Sequence, residues 1–176
     1  MKKICISSIC LSIIILTAAF LLPQSKGNEE YLRMHVRANS NGAEDQAVKY
    51  VVRDEIVCIL TPIVAECESK EALQNALYRH IPEIERAADR VLEARGFTYR
   101  SSAKLAVERF PTRTYGDLTL GEGYYDALIV NLGSGEGDNW WCVVYPPLCF
   151  LGGEEKFGYR SRIAELIGLW RERHGK

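Results

Sequence analysis

Two adjacent tryptophans, followed within a few residues by two adjacent prolines, constrain this chain more than any other feature. They lie in Asn139-Trp140-Trp141-Cys142-Val143-Val144-Tyr145-Pro146-Pro147-Leu148-Cys149-Phe150, which also holds two cysteines. In a strand, neighbouring side chains point to opposite faces, so Trp140 and Trp141 cannot enter one core together. One of them faces outward or into a second packing layer. Proline has no N–H to donate, so Pro146-Pro147 ends the strand or confines it to an edge. Two readings follow. The segment is a strand entering a tight proline corner with a buried Trp, or it presents an aromatic recognition surface, where a large apolar ring with one N–H is most useful.

The chain has 176 residues, 47% hydrophobic and 26% charged, the make-up of ordinary globular material with a head segment. The head is Met1-Lys2-Lys3, an apolar run from Ile4 to Leu22, and the polar break Pro23-Gln24-Ser25-Lys26-Gly27. Lysines, an apolar run and a polar break form an export pattern. The run is also about as long as a membrane span requires. Residues 1–27 are therefore read as a signal peptide, with Thr17-Ala18-Ala19 as a small-residue cleavage site, or as an uncleaved N-terminal anchor touching the membrane. Cys10 follows too short an apolar stretch for a lipoprotein anchor. Either way residues 28–176, one domain's worth of chain, are expected outside the cytoplasm. A domain of that size buries roughly two-thirds of its unfolded surface.

The whole chain carries a net charge of −1, and setting aside the three lysines of the head leaves −4 for the body. That argues against nucleic acid as a partner, which calls for a basic domain. The body holds four cysteines, Cys58, Cys67, Cys142 and Cys149. Four cysteines allow three pairings, and sequence alone does not choose among them. In an oxidising compartment the pair Cys142–Cys149, clamping the proline corner, is favoured. Their spacings match no zinc site.

Along the chain, Leu32, Met34, Val36 and Ala38 alternate with Tyr31, Arg33, His35 and Arg37, which predicts a half-buried strand with a basic outer face. His35 is expected on that face, solvated or turned to a partner. Asn41 and Glu44 have capping-box spacing, and Asp45 suits the positive end of a helix. The helix they open carries Val48, Val52, Ile56 and Leu60 and is expected to stop at Thr61-Pro62. A second helix is predicted over about Lys70–His80, and a third begins with Pro82 at its first position and closes at Gly96. Tyr99 to Glu108 alternate as a strand with one wet face, broken by Phe110-Pro111. A further strand carries Leu128, Val130 and Leu132, and the glycine-rich loop Gly133–Asn139 is expected to join it to Trp140–Tyr145 as a hairpin. After Gly152-Gly153 a last helix carries Ile163, Leu166, Ile167 and Trp170. The fold class is α+β, a single domain in which an antiparallel sheet of about four strands has helices packed on one face.

Catalytic constellations are missing from the pattern. A Cys nucleophile needs an activating His, and a disulfide would consume Cys142 and Cys149. No G-x-S-x-G nucleophile elbow occurs. Glu136 and Asp138 could hold a cation, but their loop does not match a calcium-hand pattern. No Gly-Lys-Ser/Thr follows the glycines to cradle phosphate. The inventory implies a binding module rather than an enzyme, with no cofactor and no metal.

Several runs resemble one family. They are Leu32-Arg33-Met34-His35-Val36-Arg37-Ala38-Asn39-Ser40, Glu44-Asp45-Gln46 with Val52-Arg53-Asp54, and Phe110-Pro111 with Tyr115-Gly116. The strongest runs from Gly133 through Asn139-Trp140-Trp141-Cys142 to Pro146-Pro147-Leu148-Cys149-Phe150. Over roughly residues 31–151 the chain resembles the stage II sporulation protein R family of endospore-forming bacteria, departing at Gly121-Glu122-Gly123, where a proline-containing turn is expected. The resemblance implies a protein made in the forespore and exported into the space between the two septal membranes. There it would activate a membrane-embedded, aspartic-type protease of the mother cell, which processes the precursor of the first mother-cell sigma factor. Candidate partner-binding residues are Trp140 and Trp141 as anchors, since Trp dominates interface hot spots, with Arg37, Asn39, Asp45 and Asn139 as a polar rim. Asn39 and Asp45 have the alternative role of holding the turn. The competing reading is an extracytoplasmic hydrolase or cell-wall-binding domain whose Trp140 and Trp141 stack on sugar rings.

Overall fold

The structure, a computed structural model, describes residues 30–150 and 160–175. The head and the Gly152-Gly153 link lie outside the described residues. The short strand β1 (Leu32–Arg37) sits inside a four-stranded sheet whose order is β2 (Ser101–Phe110), β5 (Gly123–Leu132), β1, β6 (Asn139–Tyr145). β1 runs parallel to β5 and antiparallel to β6, while β2 and β5 are antiparallel. The sheet is therefore mixed, with one parallel pair among antiparallel ones. Two short strands, β3 (Arg113–Tyr115) and β4 (Leu118–Leu120), form a separate hairpin.

The expected hairpin between β5 and β6 does not form, because β1 lies between them. The loop after Leu132 instead crosses the end of β1, and the Gly137 N–H donates to the Ala38 carbonyl at 2.9 Å. β1 takes the interior position because both of its faces are covered. Leu32, Met34 and Val36 are fully buried on one face, and so are Arg33 and His35 on the other. The half-buried strand with a wet basic face is thus corrected, and of its basic residues Arg37 alone keeps a partly open side chain.

Three helices cover the Leu32–Met34–Val36 face: α1 (Ala43–Ala65), α2 (Lys70–Ala94) and α3 (Arg160–His174). Val48, Val52, Ile56, Leu60 and Val64 recur every four residues along α1, and each is buried. Leu73, Leu77, Ile84, Ala88 and Leu92, at spacings of four and seven, form the buried stripe of α2. Two proline rules mislead. α1 continues through Pro62, and α2 is one helix with Pro82 inside it, where the spacing predicts two. A proline inside a helix loses one hydrogen bond and bends the axis. Here that cost is outweighed by what lies beyond each proline, with Val64 and Ala65 in one case and Ile84, Ala87, Ala88 and Leu92 in the other buried in the shared core. The capping box is absent as well. Gly42, which has no side chain to cap with, is the N-cap, and the Asn41 side-chain oxygen instead accepts the Asp138 N–H at 2.7 Å. Gly96 ends α2 in the left-handed conformation, as expected of a helix-closing glycine.

At the proline corner Cys142 and Cys149 are disulfide-bonded, and Pro146, in a cis peptide bond after Tyr145, leads into a 3₁₀ turn at Leu148–Phe150. Cys58 and Cys67 are free thiols. No helix among the described residues is long and apolar enough to cross a membrane.

Candidate functional site

The side of the sheet that carries no helix is built from charge and aromatic rings. In register across it stand Arg33 beside Ala127 and Val143, His35 beside Ile129 and Trp141, and Arg37 beside Asn131 and Asn139. On the β5 side of Arg33 the next two strands carry only small side chains at this level, Ala127 and then Ala106, which leaves the long arginine room to lie across the sheet. Its guanidinium carbon sits 4.3 Å from the Phe110 ring centre, 4.7 Å from Tyr125 and 5.7 Å from Tyr115. Such cation–π contacts compensate part of the lost hydration. One hydrogen bond is made, from Arg33 Nη2 to the Tyr115 hydroxyl at 2.9 Å. Arg33 Nε and Nη1 are buried with no protein partner.

Tyr115 belongs to the β3–β4 hairpin, which roofs this end of the sheet and turns at Gly116, whose φ of 59° suits glycine. Beyond Arg33 the His35 ring stacks on Trp141 with centres 4.9 Å apart and tilts against Phe110 at 5.2 Å. Neither ring nitrogen of His35 makes a hydrogen bond. The Glu108 carboxylate stands 3.4 Å from Nε2, close in charge terms but without hydrogen-bond geometry, because Glu108 is held by Arg37. Burial, and then the Arg37, Arg33 and Lys104 cations, push the His35 pKa down to about 3. The ring is neutral at physiological pH. Arg113 from the hairpin stands over Trp141 at 5.9 Å.

A second cluster locks the end of β1. The Asp45 carboxylate accepts from Ser40 Oγ at 2.6 Å, Asn39 Nδ2 at 3.0 Å and the Tyr99 hydroxyl at 2.5 Å. Burial pushes the Asp45 pKa up, but these donors outweigh it and hold the group below its ordinary value. Burial and Asp45 push the Tyr99 phenol up. Asn39 also accepts the Ser134 N–H at 3.0 Å, so the glycine loop is tied to the same turn. A Cβ at Gly137 would meet the Ser40 backbone oxygen at 2.3 Å, so only glycine lets the loop approach this closely. Lys49, buried on α1, donates to the Asp138 carbonyl at 2.9 Å.

The candidate residues therefore separate into three places. Trp141 and Arg37 lie on the helix-free face, with Asn139 beside Arg37 at its rim. Trp140 points the other way, toward α1, with the Arg53 guanidinium 5.3 Å from its ring. Asn39 and Asp45 lie in the turn lock, where their hydrogen bonds hold β1, α1 and the glycine loop together. His35, expected on an outer face in solvent or turned to a partner, is fully buried, because Trp141 and Phe110 close over it. Arg33, Glu108, Phe110, Tyr115 and Tyr125 escaped the sequence reading. The alternation of basic residues in β1 was the available signal for Arg33, whereas its aromatic cage comes from residues some 80 positions away.

Chemically, this face offers recognition: a buried cation with open donors, a neutral imidazole and an indole at the surface. Among the described residues no cluster of His, Cys, Asp and Glu could hold a metal ion.

A family model described as stage II sporulation protein R matches residues 28–155. The Stage II sporulation protein R of Bacillus subtilis (strain 168) is 35% identical over 123 residues, covering 70% of this chain and 55% of that protein. The chain thus spans about half the length of that relative. No solved structure is a significant match.

Proposed function

This chain belongs to the stage II sporulation protein R family, and on that premise we propose that it is an exported forespore signal. In this reading it crosses the forespore membrane by its head segment and acts in the septal intermembrane space. There it activates the mother cell's membrane-embedded, aspartic-type protease, which processes the precursor of the first mother-cell sigma factor. Family membership is the observation that carries the reading. The lysine-then-apolar head supports export, and the aromatic, cationic side of the sheet supports docking on a receptor. An activator of this kind must bind the active state of the protease more tightly than the resting state.

The test is reconstitution in a non-sporulating host that expresses the protease and its sigma-factor precursor, with and without the full chain. Processing only in the presence of the exported chain is the expected result. Trp141→Ala is expected to lower processing about tenfold, as for an interface anchor. If the exported, folded chain elicits no processing, the reading is wrong and wall binding is the next activity to assay.

A further inference from the structure

Arg33 is fully buried, yet two of its three guanidinium nitrogens have no protein partner. A guanidinium offers two forks to a carboxylate, Nε with Nη2 and Nη1 with Nη2. Each fork here has at least one nitrogen open, and the nitrogen they share, Nη2, gives one of its two N–H groups to the neutral Tyr115 hydroxyl. A phenol is the weaker acceptor. A carboxylate that displaced it would gain a bidentate, charge-assisted pair.

The surroundings point the same way. Arg37, Lys104 and Arg113 rim the same side of the sheet, Lys104 by register opposite Ile129 and hence level with His35, and Arg113 against Trp141. The acidic Glu108 set among them is already paired with Arg37. A positive face on a chain whose overall charge is negative selects its partner by sign. The cover over Arg33 is a hairpin of two three-residue strands, hydrogen-bonded to each other and not to the sheet. Exchanging it for a partner segment breaks no strand pairing of the main sheet.

We propose that the helix-free face of the sheet is the docking site for an acidic segment of a protein partner, whose carboxylate replaces the Tyr115 hydroxyl on Arg33 while the β3–β4 hairpin swings aside. The proposal rests on the reading above only for the identity of the partner, the membrane-embedded protease. The chemistry of the partner, a peptide segment bearing Asp or Glu, follows from the face itself.

The experiment titrates the full chain in detergent with a hexaglutamate peptide, followed by tryptophan fluorescence, with inorganic phosphate and a hexalysine peptide as comparisons. Saturable binding of hexaglutamate and no response to hexalysine are expected. The double variant Lys104→Glu with Arg113→Glu changes two exposed side chains and should weaken hexaglutamate binding at least tenfold. Tyr115→Phe removes the competing hydroxyl and should tighten binding severalfold, an effect opposite to that of a merely structural tyrosine. The same variants in the reconstitution separate the two ideas. Processing by the wild-type chain that the double variant leaves unchanged would overturn the docking site and spare the function. Hexaglutamate binding with the expected variant pattern, in a chain that elicits no processing, would do the reverse. Phosphate binding as tightly as the peptide would make this a small-anion site, and self-association abolished by the double variant would give the face to a second copy. Either result overturns the proposal.

Discussion

The two sides of this sheet are made differently. Under the helices, Leu32, Met34 and Val36 meet aliphatic side chains from α1 and α2, and the two buried cations of that layer, Lys49 and Lys70, are partnered by the Asp138 carbonyl and the Asp126 carboxylate. On the opposite side, Arg33 and His35 are buried as completely, but among aromatic rings and with polar atoms left unsatisfied. Native interiors rarely leave buried donors open, since each costs on the order of 1–3 kcal/mol. The first side is organised for folding and the second is loaded with unspent interactions. A surface in the second condition gains more from a partner than a fully satisfied one does.

The largest expected effect tests the helix-covered side. Leu77 of α2 is fully buried in the shared core, and Leu77→Ala should cost about 3 kcal/mol of stability through lost transfer energy and a residual cavity. Urea denaturation followed by far-UV circular dichroism measures it. A loss below about 1 kcal/mol would mean that the helical layer is loosely packed and that the contrast between the two sides is misplaced.

The next effect belongs to His35 and appears as a pH dependence. Its folded-state pKa, about 3, lies below the ordinary histidine value, so the unfolded chain binds this proton more readily. The associated stability is complete above about pH 6.5 and is lost as pH falls toward 3. Between pH 7 and pH 5 the loss should be about 2 kcal/mol. Asp45 and Asp89 are held below the ordinary carboxylate value, so their contributions fade only at lower pH and leave this window clear. Paired denaturation curves at pH 7 and pH 5 for the native chain and for His35→Gln isolate the histidine. If both proteins lose the same stability, the ring is not the neutral, closed-in group described above.

The difference between the two sides also explains what was legible in the sequence. Four-residue spacing marks α1 and α2 because burial on one side of a helix is a local periodicity, and the helical layer follows from it. Pro62 reads as a helix end and Pro82 as a helix start because their local cost is visible in sequence and the distant packing that outweighs it is not. The order of strands was hidden for the same reason. Leu132 and Trp140 look like the arms of one hairpin until β1, a hundred residues earlier, is placed between them. In the site, opposite directions for Trp140 and Trp141 follow from strand geometry alone, and the structure sends one toward Arg53 and the other toward His35. The Arg33 cage had no such local rule. Phe110, Tyr115 and Tyr125 come from three separate strands, and only the fold brings them to one guanidinium.

The smallest expected effect is the sharpest test of the comparison. A buried ion pair that loses one partner is strongly destabilised, whereas exchanging buried charge for an apolar side chain of similar volume is often neutral or stabilising. Arg33 has no carboxylate on its guanidinium, so Arg33→Met removes a desolvated cation, keeps a long flexible chain among Phe110, Tyr115 and Tyr125, and leaves no orphaned acid behind. Stability should change by less than about 1 kcal/mol in either direction, although the residue is as buried as Leu77. Hexaglutamate binding by the same variant should fall by at least tenfold. A stability loss of about 3 kcal/mol would instead make Arg33 a structural keystone, and the two sides of the sheet would then differ in composition but not in purpose. Near-neutral stability together with lost binding would show that this arginine is retained for what docks on it, since the fold does not need it.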